Sequence, residues 1–276
     1  ESRWFRMKRL EDRVALVTGA SRGIGSGIAL CLAREGADII VNYRSHADEA
    51  QQVAARIQQL GRRSLVYRAD VAERNAVEAM FASAVEHFGR VDIAVANAGI
   101  NLPSPVLEAD WESVQRVFRV SQFGAFHTAQ LAARQMVKQA KHGRPGGKII
   151  LIGSIHQHLA VPSSAAYNMA KAAIGQLART MALELAPHHI NVNVVAPGRI
   201  DTPSTRGYLP GERLEAANRH IPWGRVGRPE EVGKAVAYLA SQDADYVTGI
   251  TLVIDGGFSI NLDLSMGGSD VWGGDE

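Results

Sequence analysis

The chain carries a single cysteine, Cys31, so no intrachain disulfide is open to it, and that fits a reducing compartment. It also lacks an excess of either charge. Thirty basic and 28 acidic residues, mixed along the sequence, leave a formal net charge of +2, which points to no nucleic-acid surface and no membrane patch. No apolar run is long enough to span a bilayer. The basic start, Arg3-Trp4-Phe5-Arg6-Met7-Lys8-Arg9, has no apolar stretch of the secretory kind. These absences lead us to expect a cytoplasmic protein, with residues 1–9 as an extension and Met7 as a candidate natural start.

What is present is ordinary globular material, 46% hydrophobic and 21% charged over 276 residues, a length that one large α/β domain can occupy. Apolar β-rich runs alternate with helical segments almost to the end. Strands are expected at about 13–18, 37–42, 64–69, 91–96, 147–152, 190–195 and 250–254. Runs such as Lys148-Ile149-Ile150-Leu151-Ile152 are nearly continuous in hydrophobicity, as strands buried on both faces are. The expected fold class is therefore α/β: a doubly wound parallel sheet of about seven strands, Rossmann type, in a single domain spanning 1–276. A long helix is expected over 111–137, with Trp111, Val114, Val117 and Phe118 continuing through Ser121, Ala125, Ala129 and Ala132 along one face. Pro229-Glu230-Glu231 opens another helix, with proline in its first turn and acids near the positive dipole end. Residues 201–224, rich in proline, glycine and charge, read as a mobile segment over the strand ends. The tail 259–276 has no periodicity and is either disordered or docked on another subunit.

The most informative stretch is Thr18-Gly19-Ala20-Ser21-Arg22-Gly23-Ile24-Gly25, placed between the run Val14 to Val17 and the apolar helix pattern from Ile28. A strand that breaks into glycines and then a helix lets the backbone approach a pyrophosphate, while the helix N-terminus offers free N–H groups and the positive dipole end. The spacing Gly-x-x-x-Gly-x-Gly differs from the commonest dinucleotide fingerprint.

Far downstream, Tyr167 and Lys171 stand four residues apart in an alanine-rich, helix-favouring stretch and so share one face. A free tyrosine, with a pKa of about 10, is a poor base at neutral pH. A neighbouring ammonium, together with the positive ring of an oxidised nicotinamide, favours the phenolate, so Tyr167 can take or return the proton of an alcohol. A bare Tyr-x-x-x-Lys is more often a surface pair. Ser154 changes that balance: it closes the strand at 147–152, where it can orient a substrate carbonyl, although serines also cap turns after strands. The three sets together indicate a nicotinamide-dependent oxidoreductase.

These motifs resemble, in order, those of the short-chain dehydrogenase/reductase family from about Leu10 to Phe258. The glycine turn matches Thr18 to Gly25, and Asn-Ala-Gly after the fourth strand matches Asn97-Ala98-Gly99. The active-site Ser, Tyr and Lys match Ser154, Tyr167 and Lys171. Pro-Gly-x-x-x-Thr matches Pro197-Gly198-Arg199-Ile200-Asp201-Thr202, and the closing strand matches Tyr246-Val247-Thr248-Gly249 through Asp255-Gly256-Gly257. The resemblance implies a catalytic set of Ser154, Tyr167, Lys171 and Ser121. The last is a departure, because the family usually has asparagine there, and the proton relay through that position is in question.

For the cofactor, the resemblance implies contacts from Gly19, Ser21, Arg22, Gly23, Ile24 and Gly25, from Asp70 and Val71 at the adenine, and from Asn97, Ala98, Gly99, Tyr167 and Lys171. Pro197, Gly198, Ile200 and Thr202 would form its floor and meet the nicotinamide amide. Asp70 reads equally as a helix N-cap. The second strand ends Asn42-Tyr43-Arg44-Ser45 without the carboxylate that commonly accepts from an NAD ribose. Arg22 and Arg44, with Ser45, suit a 2′-phosphate, so NADP is expected, with NAD as a further option.

The sequence is most similar to the glucose 1-dehydrogenase branch, which implies a sugar or polyol substrate with His156 and Gln157 near the pocket mouth as hydrogen-bonding partners. The alternatives are a 3-oxoacyl-thioester reductase and, further off, a non-catalytic NADP sensor. His156-Gln157-His158 lacks a clear third ligand, so no catalytic metal is expected, and His188-His189 reads as a polar link. The resemblance also implies a homotetramer, in which the long helix and the one carrying Tyr167 pair across two-fold axes and the tail after Phe258 reaches a neighbour.

Overall fold

The computed structural model describes residues 8–208 and 218–261. Most of the expected N-terminal extension and tail, and the middle of the segment over the strand ends, lie outside the described residues. Seven strands form one parallel sheet: β1 (Val14–Val17), β2 (Asp38–Tyr43), β3 (Ser64–Arg68), β4 (Ile93–Ala96), β5 (Gly147–Ile152), β6 (Ile190–Pro197) and β7 (Thr251–Ile254). Their order is β3-β2-β1-β4-β5-β6-β7, and every pairing is parallel. The order reverses between β1 and β4, so the crevice beyond their carboxyl ends is where a ligand of such a sheet belongs.

Helices α1 (Gly23–Arg34), α2 (Ala47–Gln59) and α3 (Arg74–Phe88) connect the first strands. They are followed by α4 (Trp111–Val117), α5 (Gly124–Ala140), α6 (Ala165–Leu185), α7 (Pro203–Tyr208) and α8 (Pro229–Ala240). The sheet has an apolar core on each face. One joins Leu16, Ala94 and Ile149 to Val77 and Met80 of α3, Ala129 and Met136 of α5, and Ile174 of α6. The other joins Ala15, Val17 and Ile93 to Ile28 and Leu32 of α1, Val53 and Ile57 of α2, and Val236 of α8. Alternate residues of β1 thus enter opposite cores, which is why its four residues are all buried and read as an unbroken apolar run.

Helices α1 and α8 approach so closely that a Cβ on Gly27 would lie 2.6 Å from the Pro229 carbonyl carbon, and one on Gly233 would lie 2.7 Å from Cys31 Sγ. Cys31 is buried in that seam, and burial pushes its thiol pKa up. The expected opening of α8 is present: the Glu231 carboxylate accepts from Arg228 N at 2.7 Å and pairs with Arg225, which holds its pKa near 2.

The long helix expected over 111–137 is not continuous. Between α4 and α5 the residues Phe118–Phe123 form a π-helical turn, and α5 runs on to Ala140. The expected buried face holds from Val117 through Ser121, Ala125, Ala129 and Ala132, but Trp111 at its start is 68% exposed. Asp70 is not a helix N-cap, since Glu73 holds that position for α3; its Oδ1 instead accepts from Ala72 N at 3.0 Å in a local turn.

Candidate active site

The turn after β1 is built to bring backbone close to a ligand. Gly19 and Gly23 have φ of +62° and +58°, a region that disfavours side chains. A Cβ on Gly25 would collide with the Gly19 carbonyl and lie 2.6 Å from Asn97 Nδ2. Asn97 clamps the turn from β4, donating Nδ2 to Thr18 O at 2.8 Å and Gly19 O at 3.2 Å. Thr18 Oγ1 accepts in return from the N–H groups of Asn97 and Ala98 at 2.9 and 3.1 Å. From the other side, Asn42 Oδ1 accepts from Gly19 N at 3.1 Å.

No side chain caps α1, whose first turn holds Gly23, Ile24 and Gly25, so these N–H groups stay available at the switch point. Ser21 is buried within the turn and Arg22 is exposed at its rim. Across the crevice, a Cβ on Gly23 would sit 3.4 Å from Thr202 Cγ2, which brings the Pro197–Thr202 segment against the glycine turn. Pro197 ends β6, Gly198 packs against Asp255, and Ile200 bridges to Gly227. These residues fit a dinucleotide: a cradle too tight for side chains, uncapped helix donors and a floor opposite them.

Arg44 lies on the rim beyond β2, with Nη1 3.6 Å from Asp70 Oδ2, while Ser45 is paired locally with His46 at 3.0 Å. Asp70 thus lies beside Arg44. Val71 is buried, with Gly124 packed on it, and its carbonyl faces His127 Nδ1 at 3.1 Å. The pairing of Arg44 with a carboxylate was not legible from spacing alone.

At the carboxyl end of β5, Ser154 caps a short 3-10 turn and its Oγ accepts from His156 N at 3.2 Å. Its hydroxyl also reaches Tyr167 on α6. Lys171, one turn further on and 3% exposed, donates Nζ to Ile152 O at 2.7 Å and lies 5.4 Å from the Tyr167 ring centroid. The sequence-predicted Ser154, Tyr167 and Lys171 therefore meet at one place.

Burial opposes charge on both ionisable groups. It pushes the Tyr167 phenol up to about 12, against the pull of the Ser154 hydrogen bond, and lowers the Lys171 ammonium to about 8. Among the protein's own groups desolvation is the larger effect on Tyr167, and it favours the protonated phenol.

Ser121 is fully buried in the π-helical turn, and its Oγ both donates to Ile100 O and accepts from Ile100 N, each at 2.9 Å. It fastens the chain just after Asn97-Ala98-Gly99, and its proton is committed to that carbonyl. A Cβ on Gly99 would lie 3.3 Å from Ser121 Oγ and 3.6 Å from Lys171 Nζ, so this loop passes directly over the lysine.

The two substrate candidates separate. His156 stays at the site, its ring edge-on to Tyr167 with centroids 5.2 Å apart. Gln157 turns away: Nε2 is 3.2 Å from Thr251 Oγ1, and the amide fills the space beside Gly153 and Gly175. The reason is local, because the 3-10 turn sends successive side chains to different sides.

Comparison with known proteins identifies the family. A family model described as enoyl-(acyl carrier protein) reductase matches residues 19–259. The L-rhamnose 1-dehydrogenase (NAD(P)(+)) of Sphingomonas sp. is 38% identical over 93% of this chain and 100% of its own. The 3beta-hydroxysteroid dehydrogenase 1 of Eggerthella lenta is 38% identical over 91% and 95%, and glucose 1-dehydrogenase 2 of Bacillus subtilis is 36% identical over 92% and 97%. A solved short-chain type dehydrogenase/reductase from Mycobacterium marinum superposes with a TM-score of 0.85 at 40% identity, over 92% of this chain and 98% of that one. The chain belongs to the short-chain dehydrogenase/reductase family, whose members are oxidoreductases of alcohols and carbonyls using nicotinamide dinucleotides.

Proposed function

We propose that the protein interconverts a polyhydroxylated alcohol, a sugar or polyol, with its carbonyl, using NADP in preference to NAD. The observation that carries the reading is the convergence of Ser154, Tyr167 and Lys171 beside the crevice. The sugar dehydrogenases among the relatives support the substrate class.

A bound nicotinamide dinucleotide supplies the hydride acceptor or donor and, when oxidised, a positive ring charge. The glycine turn from Gly19 to Gly25 would hold its pyrophosphate, and Asn97 to Gly99 with Pro197 to Thr202 would flank the rest. Because Ser154 Oγ already accepts from His156 N, its proton is free to be given to Tyr167 or to a substrate oxygen. Burial favours the protonated phenol of Tyr167, which is the donor for carbonyl reduction. For alcohol oxidation the same oxygen must first lose that proton, which nearby positive charge makes easier. Lys171, buried against Ile152 O, would hold its charge next to the phenol. Ser121 positions the Gly99 loop and takes no part in moving protons. Arg22 and Arg44 would read the 2′-phosphate, with Arg44 exchanging the Asp70 carboxylate for it.

The reading extends to a cytoplasmic homotetramer. No helix among the described residues is long and apolar enough to cross a membrane. Helices α5 and α6 frame a groove of about 570 Å³ lined by Phe126, Val137 and Leu177, together with Arg134 and Glu184. Opposite charges within one patch suit a second copy across a two-fold axis. A 3-oxoacyl-thioester reductase is the second reading, supported only by the acyl-carrier substrate named in the description of the matching family model. An activity screen with NADP and NAD against sugars, polyols and oxoacyl thioesters separates the two. Turnover confined to thioesters overturns the first.

A further inference from the structure

Arg199 stands in the Pro197–Thr202 segment that faces the glycine turn, and its charge has no counter-charge there. Its backbone is fixed on both sides: Gly198 N donates to Ile254 O at 2.9 Å, and Arg199 O accepts from Gly227 N at 2.9 Å. The side chain is half-buried, with its guanidinium carbon 5.2 Å from the ring centroid of Phe258. An aromatic ring attracts the cation but leaves its N–H donors without strong acceptors.

Among the described residues no carboxylate pairs with Arg199 and no oxygen accepts from its guanidinium. The acids around it are committed elsewhere. Asp255, packed on Gly198, accepts from Gly257 N at 2.9 Å and from Ser259 N at 2.7 Å, one bond on each oxygen, and so holds the turn that carries Phe258. Asp201 pairs with Arg206 at 2.6 Å, and Glu231, beside Gly227, pairs with Arg225 at 2.7 Å. A half-buried cation left unpaired among committed acids loses hydration without recovering it from the protein.

The group acts on the site. Burial lowers the pKa of His156 against the pull of its Asn168 hydrogen bond, and the positive charges of Lys171 and Arg199 lower it further. No carboxylate of the described residues counters those charges at His156. The His156 ring lies edge-on to Tyr167, with centroids 5.2 Å apart, so the excess of positive charge falls where a substrate alcohol meets the phenol. In the reading above the glycine turn takes the pyrophosphate, and Arg22 and Arg44 take the 2′-phosphate, which leaves Arg199 for the substrate.

We propose that Arg199 binds an anionic group, carboxylate or phosphate, carried by the substrate away from its reacting carbon, so that the enzyme selects acidic polyols and sugars over neutral ones. The inference rests on the alcohol–carbonyl reading above and adds the charge its substrate carries. A guanidinium offers parallel N–H bonds to either oxyanion, in a shape that a neutral hydroxyl does not fill.

The test compares kcat/KM for glucitol, gluconate and glucitol 6-phosphate, each with NADP, in the wild type, Arg199→Gln and Arg199→Lys. The wild type is expected to favour at least one of the anions over glucitol by tenfold or more, the worth of one charged hydrogen bond. Arg199→Gln should lose that preference through a raised KM for the anion. Arg199→Lys, which keeps the charge, should hold part of it. A preference for gluconate assigns a carboxylate, and one for glucitol 6-phosphate assigns a phosphate. Preference for glucitol, a ratio that Arg199→Gln leaves unchanged, or an equal loss on all three polyols overturns the proposal.

Calorimetric titration of gluconate and of glucitol 6-phosphate into the protein with NADP separates this failure from failure of the wider reading. If no polyol is turned over, the activity assignment is what suffers. An anion that binds the wild type more tightly than Arg199→Gln still supports the inference. Equal binding to both, or no binding of either anion, overturns it.

Discussion

Ser121 Oγ and the backbone of Ile100 exchange two hydrogen bonds of 2.9 Å, one in each direction, inside a fully buried π-helical turn. Ser121→Ala leaves the N–H and C=O of Ile100 without that partner, at a cost of about 1–3 kcal/mol. The midpoint of urea unfolding is expected to drop accordingly, and dinucleotide affinity to weaken as Gly99 shifts. An unchanged midpoint would show that the pair is not a fastening.

Gly25 tests the cradle. The Gly19 carbonyl and the Asn97 amide occupy the space of a Cβ there, so Gly25→Ala must displace the turn or the clamp. Dinucleotide binding, followed by tryptophan fluorescence, is expected to weaken by at least tenfold in a protein that still folds, because the displaced contacts lie in the turn beyond the carboxyl end of β1 and not in either apolar core. Normal affinity for both dinucleotides would place the pyrophosphate elsewhere.

Much of this was legible from residue order, and the exceptions have physical causes. Strands buried on both faces advertise themselves, so β1 to β7 fall within about two residues of the apolar runs. The turn at 18–25 and the Tyr167–Lys171 pair are equally visible, because glycine spacing and helical spacing are local. The π-helical turn at 118–123 was not, since its apolar face continues through it with the same spacing. Nor were the partners that come from distant chain segments, among them Asp70 for Arg44, Asn168 for His156 and Thr251 for Gln157. Sequence spacing placed His156 and Gln157 together. Only the packing around Gly153 and Gly175 shows why one stays at the site and the other leaves it.

Cofactor choice is expected to follow Arg22 and Arg44. Replacing both with alanine should raise the KM for NADP by tenfold or more and leave NAD nearly unaffected, because only the 2′-phosphate is lost as a partner. Because Asp70 competes for Arg44, Asp70→Asn should tighten NADP slightly. Equal losses of both dinucleotides in the double variant would remove these arginines from 2′-phosphate recognition.

Assembly is expected to depend on the α5–α6 groove. Light scattering at micromolar concentration should give about four times 29.7 kDa, and Phe126→Glu should lower the mass by placing a charge in an apolar contact. A mass near 29.7 kDa for the wild type would contradict the assembly.

The central claim is that Tyr167 carries the proton in an alcohol–carbonyl exchange, and Tyr167→Phe examines it most directly, since it removes one hydroxyl and little else. With the enzyme's own substrate, kcat is expected to fall by roughly 10²–10⁴-fold. The dissociation constant for NADP, measured by titration on the same preparation, should stay within about threefold. A variant that binds NADP and turns over near the wild-type rate would contradict the account.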